Sequence, residues 1–280
     1  MTQQAIGSAA VIGLGKMGSA VARHLAGAGI HVAGFDIEPA AISRLKSSGV
    51  RAAVSAADAA KGCDLVIVLT AFEEQVADVL FGSDGVSEGA AKGTIVGVAS
   101  TISPSAMRAF AERLEKSGLI PLDIPLCRGE PAAEAGKLLI TGGGDKTAFE
   151  RCRPAFATFA NDIYHLGPAG SGQVGKMVNN LILWACLIGN HEGLALGEKF
   201  GIDPEAMRDM LLASSADNWA LRERINFGGM PWPWAEKDMM IVLQEADHMR
   251  IALPLSGTLK EVVKGVKLSR GDFSGVLAKH

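Results

Sequence analysis

Residues 13–18 read Gly-Leu-Gly-Lys-Met-Gly, directly after the apolar run of residues 9–12 and directly before a stretch with helical spacing. In a strand-turn-helix unit, Gly13 permits a tight turn, Gly15 lets the backbone approach a pyrophosphate, and Gly18 lets the helix pack closely on the strand. The helix N-terminus offers unpaired N–H groups to the phosphates. The alternative is an ordinary strand-to-helix turn in a chain with 34 glycines. The surrounding sequence favours a dinucleotide-binding turn.

The residue that follows the next apolar run supports this interpretation and selects the cofactor. Asp36 lies 23 positions after Gly13, at the end of the predicted strand His31–Phe35. A carboxylate there accepts hydrogen bonds from the 2′-hydroxyl of the adenosine ribose and repels a 2′-phosphate. Neither Ile37 nor Glu38 supplies an arginine that would reverse this preference. We therefore expect NAD as the cofactor, with NADP disfavoured.

The composition argues against several classes of protein. With 280 residues, 48% of them hydrophobic and 20% charged, and a formal net charge of −3, the chain suits two globular domains or one large one, without a nucleic-acid-binding surface. Its start lacks the features of a signal peptide, and no apolar run approaches the ~20 residues that cross a bilayer. The four cysteines form no CxxC pair, which argues against a metal site and for reduced thiols. We expect a cytoplasmic protein with a small-molecule substrate, no metal, and neither nucleic acid nor membrane as a partner.

The first half of the chain alternates short β-like runs with helical periods, as in a parallel sheet covered on both faces. Ser103 is predicted to cap a helix that starts at Pro104. Beyond the two strands above, the pattern predicts strands at residues 64–70, 94–99, 119–126 and 138–141, and helices at residues 73–80 and Pro104–Lys116. This order predicts an α/β fold with a doubly wound Rossmann sheet.

The second half, after the turn formers at residues 167–172, is helical. Residues 173–200 are apolar almost all round and end at Gly201, so other helices or a second subunit must bury this helix. Further helices are predicted from Asp203 onward and at residues 239–248 and 258–266. We therefore predict a nucleotide-binding domain over residues 1–168 and an all-helical domain over residues 169–280, which includes the long interdomain helix.

Candidate ligand contacts follow the strands, because open α/β sheets bind ligands beyond the carboxyl ends of their strands. Ser100 and Thr101 follow the fourth strand. They could instead cap the next helix, but Ser103 fills that role better. The other residues expected to contact ligands by the same logic are Thr70, Ala71 and residues 123–129.

Lys176 and Asn180 lie four positions apart near the start of the long helix and so project from one face. Lysines are usually solvated at the surface. Lys176, however, sits close to a helix N-terminus, where the dipole disfavours a cation, and an apolar stretch without a carboxylate follows it. These features make Lys176 a candidate general base.

The motifs together resemble the β-hydroxyacid dehydrogenase family, near the 3-hydroxyisobutyrate and tartronate semialdehyde enzymes. They run in order from residue 9 to about 278 and comprise GLGKMG with Asp36, Ser100-Thr101-Ile102-Ser103-Pro104, Asp123-Ile124-Pro125, Gly142-Gly143-Gly144-Asp145, residues 172–180 (GQVGKMVNN), Lys237-Asp238 and Asp272-Phe273-Ser274. The resemblance implies a Rossmann domain, a long interdomain helix and a helical domain that commonly dimerises, and hence a homodimer or homotetramer.

The resemblance also implies the roles of individual residues. The family residue matching Lys176 is the catalytic lysine, which takes the proton of a β-hydroxyl while hydride passes from the same carbon to the nicotinamide. The residue matching Asn180 orients the substrate, and the one matching Lys237 reaches the cofactor or substrate. Without the family, Lys237 and Asp238 would be interpreted as a surface ion pair. The predicted site comprises catalytic Lys176 and Asn180, substrate-binding Ser100, Thr101, Asp123, Cys127, Arg128, Gly129 and Asn179, and cofactor-binding Gly13, Leu14, Gly15, Lys16, Met17, Gly18, Asp36, Thr70, Ala71, Ser100 and Lys237.

The chain departs from the family at residues 123–130, which read DIPLCRGE where close relatives usually read DAPVSGG. Cys127 removes a hydroxyl donor, and Arg128 places a guanidinium where bare backbone is expected. Two roles stay open for Arg128: it pairs with an additional anionic group of the substrate, or it folds back onto Glu130 as an ion pair.

The sequence thus predicts an NAD-dependent oxidoreductase that acts on a small β-hydroxy acid or its semialdehyde. One alternative is an imine reductase of the same fold. Those relatives often replace the catalytic lysine, so Lys176 argues against it. The other alternative is a non-catalytic NAD-binding regulator, which Lys176 and Asn180 together make less favoured.

Overall fold

The computed structural model describes residues 5–223 and 232–269. The chain divides into two units, Met1–Lys176 and Met177–His280. The motif Asp272-Phe273-Ser274 lies outside the described residues. No helix of the described residues is long and apolar enough to cross a membrane.

The described part of the first unit forms a nine-stranded sheet. Its strands are β1 (Ser8–Ile12), β2 (His31–Phe35), β3 (Arg51–Ala52), β4 (Leu65–Val68), β5 (Ile95–Val98), β6 (Ile120–Asp123), β7 (Leu126–Cys127), β8 (Leu138–Gly144) and β9 (Ala160–Gly167). The order is β3-β2-β1-β4-β5-β6-β8-β7, with β9 paired to β8. The first six strands are parallel, β8 is antiparallel to β6 and β7, and β9 is parallel to β8. The predicted doubly wound α/β fold is therefore confirmed.

The strand order reverses between β1 and β4, because the chain adds β2 and β3 on one side of β1 and β5 and β6 on the other. Ile12 at the end of β1 pairs with Phe35 of β2 and with Val68 of β4. The carboxyl ends of these three strands therefore coincide. Doubly wound sheets bind their ligands at this reversal.

Helices cover both faces of the sheet. In the first unit they are α1 (Lys16–Gly27), α2 (Pro39–Ser43), α3 (Ala56–Ala60), α4 (Glu73–Phe81), α5 (Val86–Gly89), α6 (Pro104–Lys116), α7 (Gly129–Glu134) and α8 (Lys146–Phe156), with a 3₁₀ helix at Lys46–Ser48. Alternate residues of a strand point to opposite faces. Ala9 and Val11 accordingly belong to a core with α1 and α8, whereas Ala10 and Ile12 belong to a second core with α3, α4 and α6.

The strongest local sequence patterns in this unit predicted its strands and helices correctly. The predicted strand His31–Phe35 and helix Pro104–Lys116 are confirmed, and the Oγ of Ser103 accepts the N–H of Ala106 at 3.1 Å as an N-cap. The single strand predicted at residues 119–126 is wrong, since the chain forms β6 and then β7. Pro125, which lies between them, has no N–H to donate to a ladder. The strand β9 is not among the predicted elements.

The long helix α9 (Ser171–Lys199) begins in the first unit and continues into the second. It confirms the helix predicted at residues 173–200, and Gly201 follows it with a φ of +80°. The remaining helices are α10 (Pro204–Leu212), α11 (Trp219–Arg222), α12 (Trp232–Met249) and α13 (Pro254–Ser269). The start predicted for α12 at residue 239 is wrong, because the segment before it is already helical. Trp184 and Leu187 of α9 lie in an apolar core with α12 and α13.

Candidate active site

The glycine turn between β1 and α1 has the shape that its sequence predicts. Gly13 adopts a φ of +92°, and a Cβ there would lie 2.2 Å from the carbonyl oxygen of Leu69. A Cβ at Gly18 would lie 1.9 Å from the carbonyl oxygen of Gly13, whereas a Cβ at Gly15 would meet no atom within 4 Å. The packing of the protein itself therefore requires Gly13 and Gly18. Gly15 leaves open space at the N-terminus of α1, which suits a pyrophosphate.

Asp36 places a carboxylate on the same turn. Its Oδ2 accepts a hydrogen bond from the backbone N–H of Leu14 at 2.6 Å. The side chain of Leu14 is fully buried and Met17 packs against the core, so neither side chain is presented to a ligand. Lys16 is exposed, and its Nζ lies 2.9 Å from the carboxylate of Glu130. The open space at the turn and the adjoining carboxylate together fit a dinucleotide with a free 2′-hydroxyl.

We expect Asp36→Ala to weaken NAD binding about tenfold, because a hydrogen bond to a charged group contributes about 1.5–3 kcal/mol. NADP binding should weaken less, since the substitution also removes repulsion of the 2′-phosphate. The dissociation constants of both cofactors, obtained by fluorescence titration, test this. Asp36→Asn is the control for the turn, because its amide oxygen still accepts the N–H of Leu14. Unchanged NAD affinity in the Ala variant would show that Asp36 does not contact the ribose.

Ser100 joins the carboxyl ends of β4 and β5. Its side chain is 2% exposed, and its Oγ accepts the backbone N–H of Thr70 at 2.7 Å. Thr70, Ala71 and Thr101 are half-buried at the same edge of the sheet. The structure therefore brings these four predicted contacts together, but the hydroxyl of Ser100 holds the two strand ends and does not face solvent.

Asp123, the last residue of β6, is fully buried. Its Oδ1 accepts the N–H of Gly170 at 3.0 Å, and its Oδ2 accepts the N–H of Gln173 at 2.9 Å. Burial raises the pKa of this carboxyl group, and the backbone hydrogen bonds oppose that rise. The prediction that Asp123 contacts the substrate does not agree with this placement, because its two oxygens accept N–H groups just before α9 and in its first turn.

Lys176 lies in the second turn of α9, and its Nζ donates a hydrogen bond to the carbonyl oxygen of Leu126 at 2.6 Å. The side chain of Lys176 is half-buried. Leu126 and Cys127 form β7, where the 3% exposure of Cys127 leaves its thiol little access to a ligand. Gly129 follows as the first residue of α7. The structure thus brings the predicted general base to residues 123–129, which are expected to contact ligands.

Gln173 is a residue of the site that sequence reasoning missed. It is fully buried, its Nε2 donates to the carbonyl oxygen of Ser100 at 2.8 Å, and its Oε1 accepts the N–H of Ile102 at 3.2 Å. The available signal was its position inside the motif at residues 172–180, three positions before Lys176.

In the second unit, Asn180 is buried and is oriented by Asp238. The Nδ2 of Asn180 donates to the Oδ2 of Asp238 at 2.8 Å, and the same oxygen accepts the indole N–H of Trp184 at 3.2 Å. Asp238 is 7% exposed. The interpretation of Lys237 and Asp238 as a surface ion pair is therefore wrong for Asp238, because α12 directs this carboxylate into the interior of its unit.

Asn179 and Lys237 are placed closer to the surface. Asn179 is exposed, and its Nδ2 donates to the Oδ1 of Asn180 at 3.0 Å. Lys237 is half-buried, and its Nζ lies 5.4 Å from the centroid of the Trp234 ring. The ring face attracts the ammonium group, so this is a cation–π contact within α12.

We expect Asp238→Ala to lower the melting temperature and to reduce kcat/KM about tenfold. The substitution leaves the amide of Asn180 and the indole of Trp184 without their acceptor, and each buried unsatisfied group costs about 1–3 kcal/mol. Thermal unfolding and steady-state kinetics measure the two effects. Asp238→Asn keeps one acceptor oxygen and should lose less of both. An Ala variant with native stability and turnover would show that Asn180 needs no such support.

Arg128 is anchored to β9. Its Nη1 lies 2.7 Å from the carboxylate of Asp162 and 2.8 Å from the Oδ1 of Asn161. Glu130 pairs instead with Lys16. Of the two roles left open for Arg128, the ion pair with Glu130 is therefore wrong. The physical reason is β9, which places Asp162 beside the guanidinium.

Two family models match consecutive parts of the chain. The NAD binding domain of 6-phosphogluconate dehydrogenase matches residues 8–167. The model described as NAD-binding of NADP-dependent 3-hydroxyisobutyrate dehydrogenase matches residues 170–277. The two matches meet close to the start of α9.

Named relatives are similar over most of the chain. The NAD-dependent L-serine dehydrogenase of Pseudomonas aeruginosa is 38% identical over 80% of this chain and 74% of its own length. The L-threonate dehydrogenase of Cupriavidus necator is 31% identical over 90% of this chain and 88% of its own. The solved structure of Mycobacterium tuberculosis 3-hydroxyisobutyrate dehydrogenase with L-serine has a TM-score of 0.86 at 27% identity, covering 95% of this chain and 96% of that one.

Proposed function

The chain belongs to the β-hydroxyacid dehydrogenase family, and from that premise we propose how its residues carry out the reaction. It is an NAD-dependent oxidoreductase that acts on the CH–OH group of a small hydroxy acid or forms that group from the semialdehyde. We propose Lys176 as its general base in oxidation and its general acid in reduction. The observation that supports this role is the 2.6 Å hydrogen bond from the Nζ of Lys176 to the carbonyl oxygen of Leu126, which fixes the amine beside residues 123–129, the segment expected to bind the substrate.

The protein supplies the group that accepts and returns the proton. NAD, when bound, supplies the hydride acceptor at its nicotinamide. The neutral amine of Lys176 accepts the proton of the β-hydroxyl, and its ammonium form returns the proton in the reductive direction. Asn180 lies one helical turn further along α9. One N–H of its amide is bound by Asp238, which leaves the second N–H to orient the substrate.

The residues of the glycine turn would hold the cofactor. We propose that the pyrophosphate lies over Gly15 and the N-terminus of α1, with the adenosine ribose on Asp36. The open space at Gly15 and the position of Asp36 on the same turn support this placement. Thr70 and Ala71 would then line the same edge of the sheet beside the cofactor, with Thr101 on the side of the substrate. The absence of an arginine at residues 37–38 supports the choice of NAD.

We propose a substrate with a single anionic group, because the guanidinium of Arg128 already has acceptors of its own. Its ion pair with Asp162 joins two side chains that are 31% and 36% exposed. A second carboxylate, phosphate or sulfonate on the substrate would have to displace that partner. This proposal favours the structural role of Arg128 over the recognition of an additional anion.

We expect Arg128→Gly to change kcat/KM for the best substrate by less than about threefold and to lower stability slightly, since partly exposed ion pairs contribute about 0–1 kcal/mol. Kinetics with paired mono- and dicarboxylic hydroxy acids measure the effect. A loss of tenfold or more that is confined to the dicarboxylic substrate would instead establish Arg128 as a recognition residue.

We also propose a domain boundary near residue 168, a homo-oligomer and a cytoplasmic location. The two family matches, which end at residue 167 and begin at residue 170, support the boundary. Apolar side chains of α9 that are exposed in the single chain support self-association, and they include Val178 at 46%, Ile182 at 54% and Leu196 at 61%. The four cysteines are free, and burial raises the pKa of the Cys152 thiol to about 12, which suits a reducing compartment.

The function is tested with a panel of β-hydroxy acids that includes L-serine, L-threonate and 3-hydroxyisobutyrate. Reduction of NAD and of NADP is followed by absorbance in parallel reactions. We expect turnover with NAD and a β-hydroxy acid. Binding of NAD without turnover on any member of the panel would favour the non-catalytic regulator, and turnover of cyclic imines alone would favour the imine reductase.

A further inference from the structure

We propose that Gln173 is a positioning residue that fixes residues 100–102, the Thr101 segment, relative to Lys176. The proposal rests on the proposed function, because it takes Lys176 as the group that moves the proton. Gln173 acts through these two residues and does not itself reach the reacting atoms. Its side chain and its backbone are held by different parts of the sheet.

The amide of Gln173 binds the backbone on both sides of Thr101. Its Nε2 donates to the carbonyl oxygen of Ser100 at 2.8 Å, and its Oε1 accepts the N–H of Ile102 at 3.2 Å. The side chain is fully buried, so water does not replace either bond. The opposed donor and acceptor of a carboxamide are required, because an ionised carboxylate only accepts and a thioether makes neither bond well.

The backbone of Gln173 is fixed by the neighbouring strand. Its N–H donates to the Oδ2 of Asp123 at 2.9 Å, while the Oδ1 of Asp123 accepts the N–H of Gly170 at 3.0 Å. Asp123 ends β6, and Ser100 follows β5. Gln173 therefore joins two strand ends to the first turn of α9.

Lys176 follows Gln173 by three residues on the same helix, which corresponds to a rise of about 4.5 Å. Its Nζ is fixed in turn by the carbonyl oxygen of Leu126. Proton transfer needs heavy atoms about 2.6–3.2 Å apart, and a misplacement of about 1 Å can cost about 100-fold in rate. A side chain that sets the separation between the Thr101 segment and Lys176 should therefore control kcat and leave the affinity for NAD unchanged.

The first test is Gln173→Met, which keeps the length of the side chain and removes both hydrogen bonds. We expect kcat per folded molecule to fall about 30-fold or more, while the dissociation constant for NAD stays within twofold. Thr94→Val is the matched control. Thr94 is 4% exposed at the other end of the sheet, where its Oγ1 donates to the carbonyl oxygen of Cys63 at 3.0 Å. Loss of this hydrogen bond should lower the melting temperature and leave kcat within twofold of the native value.

The second test is Gln173→Glu, assayed in the reductive direction across pH. An ionised carboxylate accepts from Ile102 and cannot donate to Ser100, whereas the protonated acid makes both bonds. We expect the ratio of variant to native kcat to rise as the pH falls. Native-like kcat in both Gln173 variants, with only the melting temperature lowered, would overturn the positioning role. A native enzyme that binds NAD and turns over no member of the panel would overturn both this role and the proposed function, so the two failures are distinct.

Discussion

Lys176→Ala is expected to lower kcat by about 10²–10⁴-fold, the range that positioned general acid–base groups contribute, while NAD binding stays within about twofold. The amine is the group that the proposed reaction needs at the substrate hydroxyl, and its hydrogen bond to the carbonyl oxygen of Leu126 fixes it there. The cofactor contacts proposed for the glycine turn do not involve this side chain. Steady-state kinetics with the best substrate and fluorescence titration with NAD measure the two quantities separately.

Two further lysine variants test whether the loss of kcat comes from the loss of a base at Lys176. Lys176→Arg keeps the positive charge but cannot lose its proton near neutral pH, so it should be as inactive as the Ala variant if Lys176 is the base. Lys199→Ala removes an exposed lysine from the last residue of the same helix and should leave kcat unchanged. Turnover by Lys176→Ala within tenfold of the native enzyme would show that another group moves the proton.

Gly15→Ala is expected to weaken NAD binding about 100-fold or more with an unchanged melting temperature. Its Cβ would meet no protein atom within 4 Å, so the only group it can obstruct is the ligand. Loss of two hydrogen bonds to the charged pyrophosphate, at about 1.5–3 kcal/mol each, gives this magnitude. Titration with NAD and thermal denaturation of the unliganded protein are the measurements.

Gly18→Ala is the matched comparison: it should lower the melting temperature, which Gly15→Ala leaves unchanged. Its Cβ would lie 1.9 Å from the carbonyl oxygen of Gly13, so the turn or the helix must shift. Alanine is the better helix former by about 1 kcal/mol, so a lower melting temperature can be attributed to this contact. Native-like affinity for NAD in Gly15→Ala would mean that the pyrophosphate does not approach the turn as proposed.

Much of the secondary structure could be predicted because its signals are local. The glycine motif specifies a strand, a turn and a helix within a few residues, and Asp36 follows at the distance that the next strand requires. The cap Ser103 and the helix start at Asp203 were predicted correctly because a side-chain oxygen binds an N–H three residues later in the chain. Gly201 ends α9 for an equally local reason, its positive φ.

The errors arose where the deciding partner lies far away in sequence. The pairing of Arg128 with Glu130, one of the two roles left open for Arg128, was suggested by their closeness in the chain, whereas β9 supplies Asp162. Without the family resemblance, the adjacent lysine suggested a surface ion pair for Asp238, whereas Asp238 is buried and accepts a hydrogen bond from Asn180. No local pattern distinguishes a buried carboxylate with such partners from a solvated one.

The motifs, their order and their spacing were sufficient for the family, the cofactor and the identity of the candidate base, because each depends on the chemistry of a few neighbouring residues. Only the tertiary contacts showed which residues hold the backbone around the site. Asp123 ends a strand and Ser100 follows one, as ligand contacts do. Both are buried, however, and their side-chain oxygens accept backbone N–H groups at the start of α9 and just after β4. The sequence offers only one signal for Gln173, its position within the motif at residues 172–180, because its side-chain partners are two backbone groups more than 70 positions away. A hydrogen bond between distant segments exists only once the fold has brought them together.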